Sequence, residues 1–233
     1  MIKKNHLLLV LSILLVLPIF AQGTIDEEVQ RKIFDNKKNK ILSNVIISSL
    51  GRAHYSPKAI NDSLSEQFFF EYVKNIDRAK NFLKQEDIDI LSQYKYDLDE
   101  QLSTDRLDFF NLSISLLYKR TLEVQDIYKK ILASPFDYDR DETIEMDPDK
   151  TNYAKTKDEL SERWRKALKY QTISHISTSL KNQTEAAEKS DTVTIKTFKE
   201  LEIAARKKIL DRQDDWFHRM IDQVNNTDRI SVY

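Results

Sequence analysis

The chain has 233 residues, 40% of them apolar and 32% charged, and a formal net charge of −1. It is too apolar for wholesale disorder and has no basic excess to hold a phosphate backbone, so nucleic-acid binding is set aside. Two glycines, four prolines and no cysteine exclude disulfides and thiol catalysis. They also leave few φ > 0 positions for phosphate-cradling loops or backbone oxyanion holes. The composition predicts an all-α fold, a multi-helix array of amphipathic helices joined by polar loops and without significant sheet.

Residues 1–21 read as a cleavable signal peptide. Lys3 and Lys4 precede an apolar stretch from Leu7 to Phe20, and small Ala21 stands before polar Gln22, which places cleavage between Ala21 and Gln22. The stretch falls short of the roughly 20 apolar residues that span a bilayer. An uncleaved anchor is the alternative; no membrane insertion is expected once the segment is removed. No cysteine follows it for lipid attachment, and loss of its two lysines takes the formal charge from −1 to −3.

The mature chain reads as successive helices. Val29, Ile33, Leu42, Val45, Ile46 and Leu50 mark a first helical region ending at Gly51, a C-cap residue. Ser56 and Pro57 open a second helix, along which Leu64, Phe68, Tyr72 and Ile76 recur every four residues. Ile88, Leu91 and Leu98 mark a third element. Leu107, Phe110, Ile114, Leu117, Thr121, Val124 and Tyr128 mark a long fourth one ending near Pro135, and a polar loop runs from Asp137 to about Thr151.

Leu160, Trp164 and Leu168 then carry a helix to about Leu180, which closes a helical domain over residues 22–180. Residues 181–191 read as a polar linker. Residues 192–226 read as a long last helix packing on the same domain, with Ile195, Phe198, Leu201, Ala205, Ile209, Arg212, Trp216, Met220 and Val224 at helical spacing. Asn225 and Asn226 read as a terminator and Thr227 as the N-cap of a further helix over 227–233, with Asp228 in its first turn and Ile230 and Tyr233 on its apolar face.

Few stretches suggest chemistry. Asp137, Asp139 and Asp141 alternate as in a calcium loop, but Glu142 stands where the sharp turn needs glycine and Pro148 where a closing glutamate belongs. A solvated connector whose carboxylates cap helices or pair with basic residues is the better reading. His54, His175 and His218 lie too far apart in sequence for a zinc pair, and no serine stands on a glycine elbow. No catalytic, cofactor-binding or metal-ligating residue is assigned, and no cofactor is expected.

Aromatic residues are the better guide to contacts. Of Phe68, Phe69 and Phe70, the first two can share the stripe with Tyr72, Val73 and Ile76, while Phe70 points away, either under another helix or onto a partner. Trp164 reads as a core anchor with Arg165 and Lys166 reaching outward, and Trp216 lies on an apolar stripe. Phe70, Trp216 and Tyr233 are the candidate interaction surface.

An ordered series of motifs also carries a resemblance. His54-Tyr55, Asp62 with Ser65, Phe69 with Tyr72, Asp77, Lys80, Phe82-Leu83, Asp87-Ile88 and Leu98-Asp99-Glu100 are followed by Phe136-Asp137-Tyr138, Asp141-Glu142, Glu145-Met146-Asp147, Glu159-Leu160 and Trp164-Arg165-Lys166. Over most of residues 40–233 the chain resembles the N-terminal helical domain of the tail-specific proteases, or C-terminal processing peptidases. Ile76, Asn81 and Tyr153 depart from that pattern.

The resemblance implies part of an exported, periplasmic serine peptidase that trims or degrades proteins from their C-termini. It supplies no catalytic residue at any position here, because that family's Ser-Lys dyad and substrate-capturing PDZ domain belong to segments this sequence does not contain. The expected function is a noncatalytic scaffold, adaptor platform or substrate guide from a truncated or split gene product. Its expected partners are the PDZ and protease domains, an adaptor protein and unfolded protein substrates. The alternative is a free-standing periplasmic binding module that regulates a full-length protease by occupying its adaptor or substrate.

Overall fold

The computed structural model describes residues 60–104, 106–189 and 194–225, with the isolated helical positions 41 and 45. The signal segment with Ala21 and Gln22, most of the first helical region, Ser56-Pro57 and the 227–233 segment with Tyr233 lie outside the described residues. Among the described residues the fold is all-α. Six helices follow in order: α1 (Asp62–Ile76), α2 (Gln85–Leu91), α3 (Leu98–Ser103), α4 (Asp108–Leu132), α5 (Lys157–Ala187) and α6 (Phe198–Asn225). A 3-10 turn, Ser92–Tyr94, follows α2, and a lone parallel bridge joins Lys84 to Ala154.

Caps set the helix boundaries, in places against the sequence expectation. α1 starts at Asp62 rather than at Pro57, because the Asn61 side chain accepts the Leu64 N–H at 3.1 Å. The third element is broken into α2, the 3-10 turn and α3. α5 runs to Ala187, so most of the segment expected to be a linker is helical. α6 begins at Phe198 rather than 192, where Thr197 and Glu200 form a reciprocal box: Glu200 N–H donates to Thr197 Oγ1 at 3.3 Å and Thr197 N–H to Glu200 Oε2 at 2.8 Å.

α4, α5 and α6 pack on one another. Tyr128 meets Asp214 and Leu132 meets Arg206, so α4 and α6 are antiparallel. Gln171 meets Arg212 and Gln183 meets Lys196, so α5 and α6 are antiparallel too. α4 and α5 therefore point the same way, and the chain between them must travel back along the bundle. Val124, Tyr128, Leu132, Leu160, Trp164, Leu168 and Ile209 fill this core.

A second cluster joins α1 to α2, α3 and the start of α4 through Phe69, Tyr72, Val73, Ile76, Leu83, Leu91, Leu98, Phe109 and Leu117. Phe82 packs against both clusters. Each such apolar side chain contributes about 1.5–3 kcal/mol on burial. The first turn of α4 is capped from another helix, because buried Gln101 of α3 accepts the Phe109 N–H at 3.0 Å.

One buried ion network locks α2 to α4. Asp87 caps its own helix by accepting the Lys84 N–H at 2.8 Å, and its carboxylate takes Arg120 in a fork at 2.8 and 2.9 Å. Arg120 also reaches Glu86 and, at 2.8 Å, Glu123. Removing one partner of a buried pair strands the other charge. Arg120→Ala is expected to cost about 3–5 kcal/mol in urea denaturation, and Arg120→Lys, which lacks the fork, to recover less than half of that loss.

Candidate protein-interaction site

The turn after α1 is where the family-like motif becomes geometry. Asp77, buried, aims both carboxylate oxygens back at the chain and accepts the N–H groups of Asn81, Phe82 and Leu83 at 2.9, 3.0 and 2.8 Å. Burial pushes its pKa up against the pull of these donors and of Arg163. Lys80 takes a left-handed conformation, φ 52°, which costs a residue with a Cβ roughly 1 kcal/mol or more. Its ammonium offsets that by donating to the Pro148 carbonyl at 3.0 Å and to the Thr151 carbonyl.

α5 grips the same turn from the other side. Trp164 Nε1 donates to the Asn81 carbonyl at 2.8 Å, and Arg163 donates to the carbonyls of Lys80 and Asn152. Trp164 is therefore the core anchor expected of it.

Arg165 and Lys166 do not simply reach into solvent. Arg165 forks onto Glu162 and Glu142, Lys166 donates to the Thr143 carbonyl at 3.1 Å, and Lys169 bonds Glu142 at 2.7 Å and the Arg140 carbonyl at 3.2 Å. The acidic segment is thus a strap laid along a basic row of α5. The carboxylates of Glu142 and Asp149 pair with cations, and those of Asp137, Glu145 and Asp147 make local caps, as with Asp139 N–H onto Asp137 at 3.1 Å. Among the described residues no group of three or more potential ligands is placed to hold a metal, and no helix is long and apolar enough to cross a membrane.

Two open grooves flank the strap. One of about 510 Å³ lies between α4 and the start of α5, lined by Ile127, Lys130, Pro135, Phe136, Lys157 and Arg165. The other, of about 470 Å³, is lined by Ala79, Asn81, Met146, Pro148, Arg163 and Lys166. Arg163, Arg165 and Lys166 in their walls are tied into the fold by the bonds just described.

Of the candidate contact residues, Phe70 is 55% exposed, with the Lys95 ammonium 5.0 Å from its ring centre. Trp216 is half-buried and stacked on Phe82 at 5.3 Å, so its ring is spent within the fold. Tyr233 lies outside the described residues. The expectation that Phe68 and Phe69 share the buried stripe holds for Phe69 only; Phe68 is 49% exposed, because the stripe centres on Ser65, Phe69, Tyr72, Val73 and Ile76. Two residues that sequence reading missed are Tyr96, exposed beside Phe70, and buried Phe217 on α6.

Comparison with known proteins gives the motif its family. The domain described as "Tail specific protease N-terminal domain" matches residues 46–233. The chain belongs to that family. A tail-specific protease of Haemophilus influenzae is 27% identical over 139 residues, which cover 59% of this chain and 20% of that protein. The matched stretch thus spans about a fifth of the relative's length.

In this tail-specific protease domain, motif residues Asp77, Lys80, Asp87 and Trp164 each bind elements of the fold to one another. Asp77→Ala leaves three backbone N–H groups without their acceptor, and a loss of about 3 kcal/mol is expected in denaturant unfolding. Asp77→Asn, which keeps one acceptor oxygen, should fall between the variant and the parent chain.

The strap has a pH signature. Arg165 and Lys169 hold the Glu142 carboxyl down to about 2, from an ordinary 4.5. A carboxylate depressed in the folded state stabilises it above the unfolded pKa, and that contribution is lost as pH falls from about 4.5 toward 2. Glu142→Gln should lower the melting temperature at pH 7, and the gap between parent and variant should close over that acid range in a pH series of thermal melts.

Proposed function

We propose that this chain is the noncatalytic helical part of a periplasmic tail-specific protease, a rigid platform against which the PDZ and protease domains, an adaptor and unfolded protein substrates are held. The observation that carries this reading is the fate of the motif's polar side chains. Asp77 is filled by three backbone N–H groups, Lys80 by two carbonyls, and Asp87 by Arg120 and its own helix cap. Groups so saturated fix the positions of elements and have little capacity left to attack or protonate a substrate. The periplasmic part rests on the charged, apolar and small-residue pattern of residues 1–21.

The test uses an unfolded substrate with an apolar C-terminus. The full chain alone is expected to leave it intact, and cleavage that persists after contaminating peptidases are removed overturns the proposal. A chimaera in which this chain replaces the matching stretch of the Haemophilus influenzae protease should retain cleavage that the same protease loses when the stretch is deleted. A folded but inactive chimaera counts against the scaffold role.

A further inference from the structure

Phe70 and Tyr96 are both on the surface, 55% and 52% exposed. Lys95 lies between them, its ammonium 5.0 Å from the Phe70 ring centre and 4.8 Å from that of Tyr96. The pair is held in place from beneath: the buried Ser65 hydroxyl donates to the Lys95 carbonyl and accepts the Leu98 N–H, both at 2.9 Å. Phe70 on α1 and Tyr96 on the turn that Ser65 ties to α1 are exposed rings on fixed backbone, pre-organised for contact, and aromatic side chains carry a large share of binding energy at protein interfaces.

The rim is acidic. Asp62, Glu66 and Phe70 fall on one i, i+4, i+8 row of α1, and Asp97, Asp99 and Glu100 open α3 beside it. Within this patch Lys95 is neutralised by Glu66 at 2.5 Å, and Arg106 by Asp97 at 3.2 Å. Five carboxylates thus share two cations. Asp97, Asp99 and Asp62 raise the Glu100 pKa, the mark of like charges crowded together.

We propose that the Phe70–Tyr96 face docks a cationic, apolar polypeptide segment of a protein partner. Apolar side chains of the segment cover the rings, its lysines or arginines meet the carboxylate rim, and a guanidinium can take the place of Lys95 over the rings. The inference deepens the scaffold reading and rests on it, naming one docking face and the chemistry of what it takes.

A short fluorescent peptide of alternating Lys and Leu serves as the probe, followed by anisotropy against the full chain, with Glu-Leu and Lys-Ser peptides as comparators. The Lys-Leu peptide should bind tightest. Phe70→Ser with Tyr96→Ser should weaken it about ten-fold, and Phe70→Lys alone should weaken it through charge as well as shape. Tyr170→Ser, which removes a ring 53% exposed on α5, should leave binding unchanged. Glu100→Gln should weaken binding about three-fold and flatten its salt dependence.

Absence of binding, equal binding by the Phe70/Tyr96 variants, equal loss with Tyr170→Ser, or equal affinity for the Glu-Leu peptide overturns the proposal. So does a concentration-dependent dimer in sedimentation that the Phe70/Tyr96 variants abolish, which assigns the face to a second copy. Failed peptide binding beside an active chimaera removes this face alone. An inactive chimaera beside intact peptide binding removes the scaffold reading alone.

Discussion

Two neighbouring helices that point the same way cannot be joined by a short loop, and α4 and α5 are such a pair. The chain leaves α4 after Leu132 and has to return along the bundle before α5 begins at Lys157. A connection of that length without secondary structure is uncommon in a compact domain, because ordering it costs conformational entropy at every residue. The domain meets that cost with a row of cations on α5. Lys169, Arg165, Lys166 and Arg163 fall within two turns of helix and take Glu142, the Thr143 carbonyl and the Asn152 carbonyl in the order in which the strap passes them. The acidic composition of the strap follows from its position beside that row.

The end of the strap also joins the two cores. Lys80 from the turn after α1 reaches the strap at Pro148 and Thr151, and Arg163 bridges Lys80 and Asn152. Apolar contacts alone are tolerant of sliding, since cores accept many arrangements of similar volume. The charged and hydrogen-bonded ties are selective by comparison. Asp87 with Arg120 illustrates the distinction: apolar residues of the same volume can match such a pair for stability, so its contribution lies as much in setting the register of α2 on α4. A domain whose elements are registered in this way presents its surface in fixed relation to its core, as the proposed platform role requires.

The sequence made the helices and most of their buried stripes legible, because apolar periodicity records burial directly. It was silent where polar residues do the burying. Ser65 is buried and carries no apolar signal, so the apolar pattern does not mark the centre of the α1 stripe and groups Phe68 with Phe69. Residues 181–187 carry no apolar stripe and read as a linker, yet they are helical, and Gln183 accepts the Lys196 N–H at 2.6 Å to tie that end of α5 to the start of α6. The motif residues stood out as a pattern, but their work is spatial. Nothing in the spacing of Asp77, Lys80 and Trp164 says that one fills a turn, the second crosses to a strap and the third closes on a carbonyl of that same turn.

Exposed aromatic residues differ in what their rings already touch, and Phe70 and Tyr96 are set apart by the cation they share. Phe198 meets Tyr138 edge-on at 5.4 Å, Phe68 stacks on Tyr72 at 6.0 Å, and half-buried Trp216 stacks on Phe82. Phe70 touches Phe69 by an edge and has the Lys95 ammonium by its ring; Tyr96 shares that ammonium, and its hydroxyl donates to Glu66 at 3.5 Å. A cation over an exposed ring is worth only about 0.5–1 kcal/mol, so Lys95 is held there mainly by Glu66 at 2.5 Å, a partner that an incoming guanidinium can take over together with the rings. The carboxylate rim then acts at longer range, through charge that salt screens beyond about 10 Å. The two parts of the proposed face thus differ in reach: the rings act on contact and the rim at a distance.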